Sequence, residues 1–274
     1  MIKNWFITGD THGKASIKAR LNFLKEHRPD CDPYETALII LGDVGFNYYK
    51  NKTDWKTKHM AEEFGYTIYC LRGNHEERPS IMDYPLKWDV DVAGEVYVEE
   101  EFPHIRYFKD EGEVYLIAGF LCLTVPGAYS VDKFYRLQND WEWFPHEQLC
   151  ESERQALQDK VCNRHFDIVL SHTCPFDWMP TDLFLPVIDQ STVDNSMEKW
   201  LNDLKDKITW DYYLFGHYHD DRLVRPHVHM LSQNIISLNE VIRTWDKDNR
   251  YKIALSHKSP DFYKDDNPWA FEFK

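Results

Sequence analysis

The sequence predicts an α/β protein with a parallel sheet at its core and a second, more antiparallel sheet beside it. Three observations carry this. The first third alternates β-rich apolar runs with helical periodicity, the rhythm of βαβαβ units. Residues 90–125 hold several short β-rich runs broken by Gly, Pro and acidic clusters, as a more antiparallel sheet would. Five short polar blocks stand out along the chain, and most of them directly follow an apolar run, which places them at the carboxyl ends of strands.

Trp5 to Thr8 reads as the first strand and the block 9–13 (GDTHG) as its loop. Residues 14–27 follow as an amphipathic helix, with Ile17, Leu21 and Leu24 at helical spacing. Ala37 to Leu41 is a buried strand ending at the block 42–47 (GDVGFN), and 53–65 is a helix. Tyr66 to Leu71 is a strand ending at 72–76 (RGNHE). The runs 96–98, 105–108 and 114–117 are assigned to the second sheet. Residues 146–164 read as a helix, 167–170 as a strand delivering the block 171–175 (SHTCP), and 175–195 as a Pro-punctuated loop. A short helix over 196–206 precedes a strand, 212–215, that delivers 216–219 (GHYH), and short strands beyond it close the second sheet. With no repeat and no clear linker, the expectation is one domain over 1–255 and a polar, aromatic extension over 256–274, docked or mobile.

The polar blocks contribute Asp10, His12, Asp43, Asn74, His172, His217 and His219. Two Asp, one Asn and four His suit a pair of borderline divalent ions. Two cations ~3.5–4 Å apart can clamp the attacking and leaving oxygens of an in-line displacement on phosphorus. Asp43 is the natural bridge. Asp10 and His12, two apart, can turn to one ion from a single loop, and His217 and His219 can each reach a different ion. Asn74 offers a neutral amide oxygen that limits the negative charge. Gly9, Gly42, Gly73 and Gly216 are expected to let the backbone bend sharply at each strand end.

The order DxH, GD, GNHE, a lone His after a strand, then GHxH strongly resembles the calcineurin-like metallophosphoesterase superfamily, over residues 9–219. The segment 126–136 (PGAYSVDKFYR) is similar to a block in small bacterial and phage metallophosphatases. The resemblance implies a metallophosphoesterase-type sandwich of two mixed β-sheets flanked by helices, α/β/β/α, with a dinuclear centre at one edge. It implies that Asp10, His12, Asp43 and His219 hold one ion and that Asp43, Asn74, His172 and His217 hold the other. It further implies that a metal-bridging hydroxide attacks in line, while His75 serves as general acid or stabilises the transition state. Arg72, in RGNHE, resembles a phosphate-gripping arginine of the protein-phosphatase branch, although a pairing with Glu76 stands beside that reading. That branch continues its second block as GDxxDRG. Here Gly45, Phe46 and Asn47 occupy the place, so its second arginine is missing and a Ser/Thr protein phosphatase is not implied.

The function expected is metal-dependent hydrolysis of phosphate esters, monoesters first, because Arg72 adds grip on a dianion. Phosphodiesters, such as cyclic nucleotides or nucleic-acid ends, are the runner-up. A non-catalytic scaffold of the same fold is the rival from another class, and the presence of every ligand and of His75 weakens it. Manganese is the expected ion; iron and zinc also fit the donors. Tyr129, Ser130, Lys133 and Arg136 have two readings, as substrate contacts or as a solvated helix start. Ser191 or Thr192 reads as a helix N-cap or, more sharply, as part of a substrate lid. His227 and His229 are taken as surface residues, and Glu99, Glu100 and Glu101 as a solvated turn.

A net charge of −14 argues against stable nucleic-acid binding and against capture by an anionic membrane. The expected partner is a phosphorylated small molecule, nucleotide or phosphoprotein. No run approaches the ~20 apolar residues of a membrane helix, and the first ten residues do not read as a signal peptide. A cytoplasmic location is expected, which fits six cysteines without a CxxC pair, read as reduced and mostly buried. Cys174 lies two residues from His172, but the ligand set is complete without it. The oligomeric state is left open.

Overall fold

The computed structural model describes residues 1–238; the expected boundary at 255 and the extension 256–274 lie outside the described residues. The chain runs through β1 (Asn4–Thr8), α1 (Lys14–His27), β2 (Thr36–Ile40), α2 (Lys52–Glu62) and β3 (Thr67–Cys70). It continues through β4 (Leu86–Asp89), β5 (Gly94–Val98), β6 (Ile105–Tyr107), β7 (Glu113–Ile117) and β8 (Phe120–Val125). Then come α3 (Lys133–Gln138), α4 (Glu151–Val161), β9 (His165–Ser171), α5 (Ser196–Lys205), β10 (Thr209–Phe215), β11 (Arg222–Arg225), β12 (Val228–Met230) and β13 (Ile236–Ser237). Among the described residues no helix is long and apolar enough to cross a membrane.

Two mixed sheets result. The first has the order β13-β1-β2-β3-β6-β5-β4 and the second β11-β12-β10-β9-β8-β7. Period-two alternation in the buried strands explains the layering. In β2, Ala37 and Ile39 face the second sheet while Leu38 and Ile40 face the helices, and none of the four is exposed. Ile17, Leu21 and Leu24 of α1 and Met60 and Ala61 of α2 cover that outer face. On the far side Leu157 and Val161 of α4 and Met197, Leu201 and Leu204 of α5 cover Val169, Tyr213 and Phe215. Burial between the sheets joins Trp5, Tyr69, Tyr115, Ile168 and Leu214 into one cluster. The architecture is the α/β/β/α sandwich expected.

Two expectations are corrected. The runs at 96–98 and 105–108 belong to the first sheet: β6 pairs parallel with β3 (Ile68 opposite Ile105), and β5 follows it. Ile105 and Tyr107 are buried in the layer under α1 and α2, which is what draws them to that side. The second sheet is consequently mixed rather than largely antiparallel, with β8, β9, β10 and β12 parallel and hairpins at both ends. His229 is not a surface residue; it sits in β12 at 1% exposure.

Parallel β1, β2 and β3 and parallel β8, β9 and β10 end at neighbouring edges. The loops are stitched there by backbone bonds: Leu41 N–H to the Thr8 carbonyl, Leu71 N–H to Ile40, His172 N–H to Val125 and Gly216 N–H to His172. All the polar blocks are thereby gathered at one end of the sandwich.

Candidate metal centre

The structure brings all seven expected ligands together. The ligand atoms of Asp10, His12 and His219 lie within 4.8 Å of one another, as do those of Asp10, Asp43 and His172. His12 Nε2 is 2.8 Å from His219 Nε2, and His219 Nε2 is 3.3 Å from Asp10 Oδ2. Asp43 Oδ2 lies 3.9 Å from His12 Nε2 and 3.7 Å from His172 Nε2, which puts it between the two groups. Asn74 Oδ1 is 2.8 Å from His172 Nε2, and the His217 ring packs 5.0 Å from that of His172. Cys174 is buried and belongs to neither group.

Backbone conformation sets these directions. His12, Asp43, His217 and His219 all have positive φ, between 47° and 70°, a region that costs non-glycine residues of order 1–3 kcal/mol. Backbone donors then lock the carboxylates: Asp43 Oδ1 accepts from His75 N–H at 2.8 Å and Asp10 Oδ1 from His217 N–H at 2.9 Å. The block glycines serve close approach more than bending. A Cβ on Gly73 would sit 2.0 Å from Asp43 Oδ1, and one on Gly216 would sit 2.3 Å from Asp10 Oδ1. Of the four, Gly42 alone needs a positive φ, at 103°.

The donor set fits divalent cations, and two observations show why. Asp10 Oδ2 is buried and has no aligned hydrogen-bond donor. His172 Nδ1–H donates to the Leu41 carbonyl at 2.7 Å, which leaves Nε2 as a bare lone pair. That lone pair faces Asn74 Oδ1, another acceptor, because the Asn74 Nδ2 amide group is committed to Ser130 Oγ at 2.9 Å. Two such atoms 2.8 Å apart need positive charge at the contact, a proton on Nε2 or a metal ion, and burial disfavours the protonated ring. Charge tells the same story. Burial, then Asp10, pushes the Asp43 carboxyl above the usual range; burial opposes ionisation of Asp10 too, but the imidazoles of His219 and His172 outweigh it and hold Asp10 ionised. Burial, then His219, pushes His12 down to about 3, and burial also lowers His172 and His217. A cluster in which His12, His172 and His217 are held neutral, only His219 is raised, against burial, by Asp10, and two carboxyls resist joint ionisation gains most from added positive charge.

The other expected residues divide. His75 is at the cluster, with Nε2 3.9 Å from Asp43 Oδ2. Arg136 reaches it: its guanidinium is fully buried, 3.5 Å from His75 Nε2, and anchored by Asp132 at 2.8 Å, Tyr48 and the Glu142 carbonyl. Arg72 does not share this position. Its guanidinium donates to the carbonyls of Glu147 at 2.7 Å, Gly73 at 3.2 Å and Asp110 at 3.4 Å, while its own carbonyl receives Gly127 N–H. Those bonds clamp the ends of the 126–147 segment and commit both Nη groups to backbone carbonyls. Its Nε is 3.7 Å from Asp110 Oδ1; Glu76 instead accepts from Gly73 N–H. Lys133 lies over the Trp143 ring at 4.0 Å, and Tyr129 is 9% exposed. Thr192 and Ser191 fall in a short turn that Asp189 caps, so the capping residue is the preceding aspartate. Ser130 and Glu147 contact Asn74 directly or through one bond; nothing in the spacing of the sequence marks Glu147 for this.

The family model described as calcineurin-like phosphoesterase matches residues 6–221. No curated protein matches the chain. Among solved structures, TT1561 of Thermus thermophilus is similar at 12% identity, covering 87% of this chain and 96% of that one, with a TM-score of 0.44. The phosphopantetheinyl hydrolase PptH from Mycobacterium tuberculosis is similar at 12% identity over 96% of this chain and 98% of its own, with a TM-score of 0.38.

Proposed function

The chain belongs to the calcineurin-like phosphoesterase family, which depends on a dinuclear metal centre, and on that premise we propose that it hydrolyses phosphate esters, monoesters first. The observation that carries the reading is the acceptor-against-acceptor contact of His172 Nε2 and Asn74 Oδ1, both locked from behind. Asp10, His12, Asp43 and His219 would hold one ion, and Asp43, Asn74, His172 and His217 the other. Bound there, two divalent cations supply an ionised water and offset charge on phosphoryl oxygens. Manganese is the proposed ion.

The remaining work falls to the chain's own groups. Arg136, whose Nη2 reaches His75, would turn to take a phosphoryl oxygen, and its buried anchors pre-orient it. His75 is the proton donor to the leaving oxygen. Burial, then Arg136, holds its ring neutral in the free site, so a substrate dianion would have to offset both before the ring carries a proton from solvent to the leaving oxygen.

The test is hydrolysis of p-nitrophenyl phosphate and bis-p-nitrophenyl phosphate with Mn²⁺, on wild type, Asp43→Asn and His75→Ala. Preference for the monoester is expected, with kcat lowered by about two orders of magnitude or more in each variant. Wild-type rates in both variants would overturn the mechanism. Preference for the diester would replace the monoester reading, and no turnover with metal bound would point to a scaffold.

A further inference from the structure

We propose that Ser130 and Glu147 are positioning residues that decide which end of the Asn74 amide faces the ion pair, and through it whether the second ion binds. The proposal rests on the metal-centre reading above. A side-chain amide has an oxygen and a nitrogen of nearly equal size, and only the oxygen can ligate a hard or borderline cation. A neutral ligand therefore needs an external device to choose its orientation, which a symmetric carboxylate would not.

Proton accounting identifies the device. Glu147 is 3% exposed, and its carboxylate collects three donors: Ser130 N–H at 3.1 Å on Oε1, and Ser130 Oγ–H at 2.5 Å and Trp143 Nε1–H at 2.9 Å on Oε2. Trp143 and the Ser130 amide nitrogen can only donate; burial raises the Glu147 carboxyl, these donors oppose it, and the ionised group accepts from all three. Ser130 has one hydroxyl proton, and Glu147 takes it. Ser130 Oγ, 1% exposed as a residue, is then left only as an acceptor. It can receive the Asn74 Nδ2 amide group at 2.9 Å but cannot donate to Asn74 Oδ1. The flipped amide would set oxygen against oxygen at Ser130 in a buried site, where the cost of an unmet acceptor is about 1–3 kcal/mol. The oxygen is thus driven to the other side, 2.8 Å from His172 Nε2.

The same bonds tie the 126–147 segment to the centre. Its far end is held by Arg72 on the Glu147 carbonyl, and Gly127 N–H bonds to the Arg72 carbonyl. Segment and Asn74 loop are therefore one unit, and disturbing the Glu147 carboxylate reaches Asn74 through a single hydroxyl.

The test is Mn²⁺ titration calorimetry on the full chain stripped by chelator, with thermal melts as the folding control. Wild type is expected to bind two ions. Ser130→Ala should keep the first and weaken the second by about tenfold to a hundredfold, the usual range for groups that orient ligands. Glu147→Gln, whose amide nitrogen must face either the Ser130 N–H or the hydroxyl and indole donors, should weaken the same ion. In an Asn74→Ala background Ser130→Ala should have no further effect on metal binding, which a merely structural role would not reproduce. Unchanged binding of both ions in Ser130→Ala, equal loss of both, or an undiminished effect in the Asn74→Ala background would overturn the proposal. A wild-type chain that binds no pair of ions would sink the metal-centre reading itself, and this proposal with it.

Discussion

Replacing Gly42 by Ala should dismantle half of the centre while leaving the fold standing. The added Cβ would lie 2.0 Å from His172 Nδ1 and 2.6 Å from its Cγ, where ordinary contact begins near 3.4 Å. The ring must therefore retreat by more than an ångström. It has no room to do so, being 0% exposed and packed against His217. Retreat breaks the Nδ1–H bond to Leu41, worth about 1 kcal/mol. A φ of 103° adds strain of about 1–3 kcal/mol for a residue with a side chain. The sum is about 2–4 kcal/mol, or a fall in Tm of roughly 5–15 °C for a chain of this size. A ligand displaced by an ångström should cost about a hundredfold in rate. Gly119→Ala is the control: its φ is 86°, but nothing lies within 4 Å of the new methyl. It should lower Tm modestly and leave the Mn²⁺-dependent rate on p-nitrophenyl phosphate unchanged. If Gly42→Ala bound two ions and turned over at the wild-type rate, the packing argument for His172 would be refuted.

Two further outcomes are expected. Arg136→Lys keeps the charge but removes the fork, so kcat/KM for a monoester should fall about tenfold to a hundredfold with the diester rate little changed; a monoester rate within about twofold of wild type would remove Arg136 from the substrate grip. Glu198 is buried beside Thr173, and desolvation pushes its carboxyl up to about 7. Because its folded pKa is raised, its stabilising contribution is complete below the unfolded value of 4.5 and fades as pH rises through about 7, a loss of up to about 3 kcal/mol. Glu198→Gln should therefore gain on wild type in urea melts at pH 8.5 relative to pH 5, and a pH-independent difference would contradict this.

The centre was legible because its chemistry demands residue types that stand out: carboxylates, imidazoles and an amide, each placed after an apolar run. The α/β/β/α layering followed from the same runs and the resemblance. What failed depended on long-range pairing. The strand at 105–107 joins β3 across 37 residues, and its own alternation is the same in either sheet. Arg72 drew attention by standing next to Gly73 and Asn74, yet its side chain points to carbonyls brought by the 126–147 segment. Arg136 reaches His75 from 61 residues away and could not be preferred on spacing. Glu147 acts through a hydroxyl, and only the folded hydrogen-bond chain reveals it.

The most direct measurement is to strip the protein with a chelator and restore Mn²⁺ stepwise while following p-nitrophenyl phosphate hydrolysis and bound metal together. The account predicts no turnover in the stripped protein and activity that rises as the second equivalent binds. Full activity after verified removal of the metal, or none with two ions bound, would contradict it.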